Sequence, residues 1–402
     1  MRTIKEIYKI GHGPSSSHTM GPSFAAEIFL KNIPDIRKAD ITLYGSLATT
    51  GKGHLTDKAL TDIFHHAGVE VSIVWQPKTF LPFHPNAMKF EAYDAEKNFI
   101  DSWTVYSVGG GSLKEEKPKF LENANPDIYP HTHMKDIMEY CIGKGLNYWE
   151  YVQRYEDADL WDYLAEVWQK MKESIKRGLT EEEVLPGPLH LQRKATKFYV
   201  KSKGLKPSLE SQGLTFAYAL AVSEENASGH VIVTAPTCGS CGVLPAVLYH
   251  LQNTKDFMDT RILRALATAG LFGNVVKENA SISGAEVGCQ GEVGVACAMA
   301  AAAASQLFGG SLSQIEYAAE MGLEHHLGMT CDPVCGLVQI PCIERNAYAA
   351  LRALDSNLYS SFTDGVHSVS FDRVVEVMKQ TGHDLPSLYK ETSEGGLAIT
   401  HN

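Results

Sequence analysis

The sequence predicts an α+β protein of more than one domain, with an α/β domain followed by an all-helical domain. Before residue 115, short β-type runs alternate with helical segments, which is the pattern of an α/β unit. After residue 133, apolar residues recur at helical spacing without β-type alternation, which predicts helices alone. A charged, proline-bearing stretch separates the two patterns and is typical of a boundary. We therefore expect domains at 1–115 and 133–402, joined by a linker at 116–132.

The α/β domain contains four runs rich in β-branched and aromatic residues, as strands are. These predicted strands lie at 41–47, 69–74, 90–93 and 103–108. A polar segment with two prolines leads directly into an apolar-periodic run at 24–30, which predicts the first helix. A second helix is expected to end at Ala67.

Composition and charge narrow the class of function. The chain has 402 residues, of which 44% are hydrophobic, and this is typical of a globular protein. Its formal net charge is -11. A nucleic-acid-binding surface needs clustered Lys and Arg, so small-molecule chemistry is favoured and no nucleic-acid partner is expected.

No targeting or membrane segment is expected. The first 13 residues, MRTIKEIYKIGHG, lack the apolar centre of a signal peptide. The longest apolar run, Val293 to Ala304, is too short to span a bilayer. We therefore expect a cytoplasmic protein without a membrane partner, and we expect its eight cysteines to be reduced thiols.

Three cysteines stand at points where the backbone is able to turn. Cys289 lies between Gly288 and Gln290-Gly291, Cys331 precedes Asp332-Pro333, and Cys342 follows Pro341. Turns of this kind can direct several thiolates at one centre. Between the first two cysteines, the run from Val295 to Ala304 consists almost entirely of small residues, which predicts a helix packed tightly in the middle of the helical domain.

The segment GHGPSSSHTMGP near the N-terminus predicts a polar loop that leads into a helix. Hydroxyls and free backbone N–H groups at a helix start form a cradle for a carboxylate or phosphate, and His18 would add a titratable group beside it. An ordinary N-cap fits the local sequence equally well.

A second loop, TCGSCG at 237–242, follows a short apolar run and precedes a predicted helix. Cys238 and Cys241 have the C-x-x-C spacing of half a zinc site or a redox pair, and Cys331 with Cys335 would supply the other two zinc ligands. In the alternative interpretation, the loop presents backbone N–H groups to an anionic substrate.

Seven motifs together resemble one enzyme family over nearly the whole chain. They are SSSHTMGP at 15–22, the GKGH-TDKA loop at 51–59, HPNAM at 84–88, SGAEVGCQGEVGVA at 283–296, LGMTCDPV at 327–334, QIPCIERNA at 339–347 and YKETSEGGLA at 389–398. In this order they are similar to the iron-sulfur L-serine dehydratases, which convert L-serine to pyruvate and ammonia without pyridoxal phosphate.

The resemblance implies a cofactor and an architecture. It implies a [4Fe-4S] cluster held by Cys289, Cys331 and Cys342, with one iron left open to act as a Lewis acid. It also implies that the α/β domain is similar to the allosteric substrate-binding domain of some phosphoglycerate dehydrogenases, that the helical domain is catalytic, and that the chain forms a homodimer.

The resemblance also suggests which residues form the site. A base that titrates near neutrality must reach the substrate Cα, and either His18 or His54 is expected to fill this role. His325 and His326 are candidates for hydrogen bonding near the cluster. The residues expected to bind substrate are Ser15, Ser16, Ser17, Thr19, His84, Asn86, Thr237, Gly239 and Ser240.

Two departures from the family and one rival cofactor bear on this interpretation. The chain ends AITHN, whereas some members end in a cysteine that caps the open iron, and CGSCG replaces an Asn-Gly-Ala-Ala-Gly pattern. Lys176 in SIKRG and the glycines at 108–112 resemble parts of pyridoxal-phosphate dehydratases, but they occur in the reverse order. A zinc-stabilised ligand sensor is the non-enzymatic alternative.

Overall fold

The structure, a computed structural model, describes residues 1–121 and 126–401 of the chain. The described residues have two separate hydrophobic cores. The smaller core lies between the strands and helices of an α/β region near the N-terminus. The larger core lies within a helical region that makes up most of the chain after residue 133. The predicted α+β class is confirmed.

A mixed sheet forms the α/β region. The first seven elements are β1 (Ile10–His12), α1 (Gly21–Asn32), β2 (Lys38–Tyr44), α2 (Gly45–Thr50), α3 (Thr56–His66), β3 (Glu70–Gln76) and β4 (Ala87–Tyr93); β5 (Phe99–Ser107) and β6 (Leu113–Lys114) follow. Five strands pair in the order β3-β2-β4-β5-β6, and β2 runs parallel to β3 while the other neighbours are antiparallel.

Helices α1 and α3 cover one face of this sheet. On β2, Ala39, Ile41 and Leu43 are buried while the intervening residues are only partly covered, as expected for a strand with one face against a core. Phe90 on β4 stacks near both helices, with ring centroids 5.1 Å from Phe29 of α1 and 6.3 Å from Phe64 of α3.

All four predicted strands are present, but the first one ends earlier than predicted. Strand β2 stops at Tyr44 because Gly45 takes a left-handed conformation with φ of 51°. A Cβ at Gly45 would lie 2.5 Å from the carbonyl oxygen of Pro85, so the position requires glycine. Leu47, predicted to lie in the strand, belongs to α2 instead.

The predicted linker does not extend freely from the sheet. Phe120 and Leu121 pack against the α/β core, and the Glu115 side chain accepts hydrogen bonds from Trp103 Nε1 and from the main-chain N–H of Lys119. Four linker positions, 122–125, lie outside the described residues. The chain joins the helical core at Tyr129.

The helical region contains twelve α-helices and one short strand among its described residues. They are α4 (Met134–Lys144), α5 (Tyr148–Tyr155), α6 (Leu160–Gly178), α7 (Ala195–Ser202), α8 (Pro207–Ala227), β7 (Val231–Val233), α9 (Val243–Lys255), α10 (Asp259–Asn279), α11 (Gly284–Val287), α12 (Val293–Leu307), α13 (Leu312–Glu324), α14 (Cys342–Ser361) and α15 (Phe371–Asp384).

Helix α12 is the central helix of this region. Every residue from Val293 to Ser305 is buried, and α10, α13, α14 and α9 surround it. Its small side chains allow close packing: a Cβ added at Gly322 of α13 would lie 3.1 Å from the Ala298 backbone. The prediction of a tightly packed helix in the middle of the domain is confirmed.

The N-terminus joins the two regions. Ile4, Ile7 and Tyr8 belong to the helical core rather than to the α/β core, and β1 pairs antiparallel with β7. The chain therefore starts in the helical region and enters the α/β region only at α1. The polar loop at 13–20 consequently lies between the two regions. No helix in the described ranges has the length and apolar character needed to cross a membrane.

Candidate functional site

A small cavity between the two regions brings together residues from distant parts of the sequence. Its volume is about 20 Å³. It is lined by Ser15, His54, Gly239, Cys289, Glu292, Cys331, Pro333, Val338, Cys342 and Glu391. All three cysteines selected from turn chemistry are therefore on one wall, together with one of the two candidate histidines.

Each of the three cysteines is supplied by a different local structure. Cys289 opens a 3-10 turn between α11 and α12, and the preceding Gly288 has a φ of 75°. Cys331 lies in an extended segment whose N–H donates to Tyr389 O at 2.8 Å. Cys342 is the first residue of α14. Each thiol is therefore held at the cavity by a short, hydrogen-bonded segment rather than by a long loop.

The three thiols differ in acidity because of their neighbours. A hydrogen bond from Cys331 and the nearby Arg345 guanidinium lower the pKa of Cys289 to about 6, against the opposing effect of burial. The same hydrogen bond and burial raise the pKa of Cys331 well above its ordinary value, and burial does so for Cys342. One thiolate therefore stands beside two thiols, whose protons would leave when a metal binds.

Arg345 is held beside the cysteines by main-chain and carboxylate oxygens. Its Nη1 donates to Thr330 O at 2.6 Å, and its Nη2 lies 3.6 Å from Asp332 Oδ1. A fixed positive charge here favours the ionised thiolate.

The two candidate histidines stack at the cavity edge. The ring centroids of His18 and His54 are 4.5 Å apart. Burial lowers the pKa of His18 to about 4 and lowers the pKa of His54 well below its usual range. Both rings are therefore neutral near pH 7, which is the form that accepts a proton.

The two histidines differ in what their ring nitrogens contact. His18 Nδ1 is 2.9 Å from Ser17 Oγ and its Nε2 is 3.2 Å from Ser46 Oγ. Within the described ranges, neither ring nitrogen of His54 has a hydrogen-bond partner, although both are buried. His54 lines the cavity, whereas His18 lies behind it. Only His54 has nitrogens available to a ligand.

The serine-rich loop folds back on itself more than predicted. Residues 16–20 form a π-helical turn, with Ser15 as its cap accepting from His18 N at 3.1 Å. Ser15 reaches the cavity, while Ser17 contacts His18 and the Thr19 hydroxyl donates to His54 O at 2.7 Å. Ser16 is buried in the same turn. The loop therefore serves both predicted purposes: it caps the helical turn, and one of its residues, Ser15, reaches the cavity.

The loop at 237–240 contributes one wall residue and one supporting residue. Gly239 lines the cavity, and a Cβ there would lie 3.1 Å from Glu292 Oε1. The Thr237 hydroxyl donates to the same oxygen at 2.8 Å. The Ser240 hydroxyl does not reach the cavity; it lies 3.1 Å from the Thr237 hydroxyl and 3.2 Å from Ala235 O, to which it donates.

His84 and Asn86 do not line the cysteine cavity. His84 lies in a separate pocket of about 520 Å³, where its Nε2 is 3.5 Å from Glu286 Oε1 and its Nδ1 accepts from Asn86 N at 3.1 Å. Among the described residues, the buried Asn86 amide has no side-chain partner. Both residues lie where the α/β region meets the helical region.

The sequence interpretation missed two carboxyl groups on the wall. Desolvation and then the Cys289 thiolate raise the pKa of Glu292 well above its usual range, and burial with the same thiolate raises the pKa of Glu391 to about 8. An incoming cation would favour the ionised form of either group. Glu292 follows Cys289 by three residues and was detectable from that spacing, whereas Glu391 has no local signal.

Among the described residues, the four cysteines of the zinc alternative, Cys238, Cys241, Cys331 and Cys335, do not come together as a group of metal donors. Cys238, Cys241 and Cys297 are buried in the helical core, where burial raises the pKa of each thiol, while Cys335 is exposed. Within the described ranges, only the group formed by His18, His54 and Glu391 has three metal-type donor atoms within 4.8 Å of one another. Lys176, the alternative Schiff-base residue, is exposed on α6. The two histidines proposed to form hydrogen bonds near the cluster differ in exposure. His326 is buried and its Nδ1 contacts Gly322 O, while His325 is exposed.

The fold and site together define an α+β protein with a closed, metal-compatible site between its two regions. Residues 3–64 match the family model described as serine dehydratase beta chain, and residues 87–398 match the one described as serine dehydratase alpha chain. The chain therefore belongs to the serine dehydratase family, with both chain types fused in one polypeptide.

Curated relatives match over the full length. The protein named L-serine dehydratase from Streptomyces coelicolor is 40% identical, across 99% of this chain and 98% of its own. L-serine dehydratase 1 from Escherichia coli is 38% identical across 99% of both chains. The Helicobacter pylori L-serine dehydratase is 36% identical across 99% of this chain and 98% of its own.

Proposed function

We propose that this chain dehydrates L-serine to pyruvate and ammonia, using a [4Fe-4S] cluster bound by Cys289, Cys331 and Cys342. The observation that carries the proposal is the meeting of these three cysteines with His54 at one cavity between the two regions. The names of the full-length relatives support the substrate and the reaction.

The donor set fits an iron-sulfur cluster. Thiolates are the usual protein ligands of such clusters, and the Cys289 thiol, with its pKa of about 6, is ionised near neutrality. A cavity of about 20 Å³ has room for about one water. A cluster held by three thiolates supplies an open iron with Lewis acidity toward a substrate hydroxyl.

His54 is the proposed base that removes the α-proton of L-serine. It is neutral, it lines the cavity, and among the described residues its two ring nitrogens have no protein partner. His18 is a positioning residue, because its ring packs on His54 while Ser17 and Ser46 hold its nitrogens. Loss of the α-proton and of the β-hydroxyl as water leaves an enamine, which tautomerises and hydrolyses to pyruvate and ammonia.

The proposed substrate-binding residues then divide by contact. Ser15 and Gly239 line the cavity, and they are the residues proposed to bind the substrate carboxylate. The Thr237 hydroxyl bonds to Glu292 on this wall, and Ser17 and Thr19 contact His18 and His54. Ser16 and Ser240 make their contacts within their own turns, while His84, which is bonded to Asn86, belongs to the separate pocket. The closed cavity keeps bulk water away from the reacting atoms.

The quaternary state, the domain limits and the location belong to the same proposal. We propose a cytoplasmic homodimer with domains at 1–115 and 133–402. The family resemblance implies the dimer, whereas the domain limits and the location follow from the sequence pattern. Exposed apolar side chains on and after α14, including Tyr348, Phe362 and Val366, are compatible with a subunit contact. Light scattering should give about twice the chain mass of 44.1 kDa.

Protein purified without oxygen tests the proposal directly. We expect about four irons with matching sulfide per chain, a broad visible thiolate-to-iron band, and pyruvate released on addition of L-serine. A Lys176→Ala variant should behave like the wild type, because that lysine is exposed on α6. Zinc in place of iron, or activity that requires pyridoxal phosphate, would contradict the proposal.

A further inference from the structure

The C-terminal segment 389–398, here called the C-terminal strap, is bonded along the loop that carries Cys331. Cys331 N donates to Tyr389 O, and Glu391 N donates to Cys331 O, both at 2.8 Å. Further along, Ser393 Oγ donates to Pro333 O and Leu397 N donates to Asp332 Oδ2, each at 2.8 Å. This ladder fixes the strap beside the cavity and determines where its side chains point.

Glu391 is the strap residue that enters the site. It lines the cavity, it is only 7% exposed, and its φ of 58° is unusual for a residue other than glycine. One carboxyl oxygen, Oε1, lies 3.6 Å from His18 Nδ1. Among the described residues, the other oxygen is buried without a hydrogen-bond partner.

The second wall carboxyl, Glu292, is already occupied. Its Oε1 accepts from the Thr237 hydroxyl at 2.8 Å, and its Oε2 lies 3.9 Å from Cys331 Sγ. A buried oxygen without a partner is costly unless a ligand satisfies it. Of the two carboxyl groups on the wall, Glu391 is therefore the one with a position open for a ligand donor.

We propose that Glu391 binds the α-ammonium group of the substrate. This inference rests on the proposed function, because L-serine has an ammonium group on the carbon that gives up its proton to His54. A cation taken into a closed site needs an anionic partner, and donor atoms of Glu391 and the two histidines lie within 4.8 Å of one another. Glu391 would thus select α-amino acids over acids that lack the amino group.

The test compares Glu391→Gln with a matched variant of the same strap. Glu394 is exposed, so Glu394→Gln makes the same exchange of a carboxyl for an amide outside the cavity. For Glu391→Gln we expect the KM for L-serine to rise about 10- to 100-fold, the usual effect of losing a hydrogen bond between charged groups, with a smaller change in kcat. Glu394→Gln should leave both constants unchanged. All values are expressed per bound iron, so that partial cluster loss does not alter the comparison.

An inhibitor pair gives a readout that a merely structural role would not change. L-alanine and propionate both lack the β-hydroxyl, and only L-alanine has the ammonium group. The wild type should bind L-alanine more tightly than propionate, and Glu391→Gln should lose about 10-fold or more of that preference while binding propionate as before.

The outcomes separate this inference from the proposed function. A wild type that releases no pyruvate from L-serine would refute the proposed function, and the inference with it. An active wild type whose Glu391→Gln variant keeps the KM and the preference for L-alanine would overturn the inference alone. Loss of that preference in Glu292→Gln rather than in Glu391→Gln would also overturn it.

Discussion

Two groups of buried cysteines in the helical region differ in what surrounds them. Cys289, Cys331 and Cys342 line a cavity with a histidine, two carboxyl groups and a nearby arginine. The second group, Cys238, Cys241 and Cys297, is also buried but does not line that cavity. Burial is the same for both, and the C-x-x-C spacing occurs in the second group. Proximity to charged groups around a cavity, rather than burial or spacing, therefore distinguishes candidate ligands from packing thiols.

The strongest test of this difference is to exchange one cysteine for serine in each group. Cys289→Ser removes the most acidic thiol of the cavity and should abolish iron binding. Activity should fall at least about 1000-fold, because a Lewis-acid metal contributes several kcal/mol to the reaction. Iron content, sulfide content and pyruvate release are measured on the same oxygen-free preparation.

The matched control is Cys297→Ser on α12. It places a hydroxyl in an apolar core and should cost about 1–3 kcal/mol of unfolding free energy, while iron per folded chain stays unchanged. Retention of iron by Cys289→Ser, or its loss in Cys297→Ser, would contradict the division into two groups.

The next prediction separates chemistry from cofactor binding within the cavity group. His54→Gln should lower kcat about 100- to 10,000-fold, the usual contribution of a general base, while the iron content stays at the wild-type value. His18→Gln should have a smaller effect, because His18 acts on His54 by packing.

His65→Gln, on the exposed face of α3, is the control for the histidine exchange and should have no effect. The isotope effect with α-deuterated L-serine gives the decisive measurement. Its value should rise in His54→Gln if proton removal becomes slower. A larger loss of kcat in His18→Gln than in His54→Gln would reverse the assignment.

Local patterns predicted the scaffold well, because periodicity is a property of neighbouring residues. The alternation around Ile41 gave a real strand, and the small-residue run after Val293 gave the central helix α12. The predicted end of the first strand was wrong, since Gly45 takes a left-handed conformation and the nearby Pro85 carbonyl leaves no room for a Cβ there. That contact is between residues 40 positions apart, so it cannot be predicted from a local sequence pattern.

The site was predictable only in part for the same reason. The three cysteines were selected from the turn residues next to them in the sequence, which are local. Glu391 reaches the cavity because the C-terminal strap pairs with the Cys331 loop, and the N-terminal residues enter the helical core because β1 pairs with β7. These pairings join residues far apart in sequence. The roles of His18 and His54 separated only when their hydrogen-bond partners were known.

A third prediction tests how closely the core around the second cysteine group is packed. Gly322→Ala places a methyl group 3.1 Å from Ala298 and 3.2 Å from the Cys297 carbonyl carbon. The contacted atoms belong to the backbone, so α12 and α13 have to separate. The expected cost is about 1–3 kcal/mol of unfolding free energy, measured by urea denaturation.

Gly143→Ala is the matched control for this exchange. Gly143 lies in α4, and a Cβ there would have no neighbour within 4 Å. This change should stabilise the protein by up to about 1 kcal/mol, because alanine favours the helix. A stabilising Gly322→Ala would show that the core around Cys297 has space that the structure does not indicate.

The smallest expected effect is a pH dependence of stability that arises outside both cysteine groups. His367 Nε2 forms an ion pair with Glu316 Oε2 at 2.7 Å, and this contact raises the pKa of His367 to about 8. The folded state therefore holds the proton more tightly than the unfolded state. The resulting stability is present below pH 6.5, the ordinary histidine value, and it is lost as the pH rises through 8.

Between pH 7 and pH 9, the wild type should lose about 1 kcal/mol more unfolding free energy than His367→Gln, after allowing for solvent screening of this partly exposed pair. His325→Gln, an exposed position at the end of α13, should follow the wild type. Urea unfolding at each pH gives the measurement. The pH profile of kcat should be the same in all three proteins, since His367 lies outside the cavity. A shift of the kcat profile in His367→Gln would show that protonation of His367 affects the groups of the cavity. The stability and the activity would then not depend on separate titrating groups.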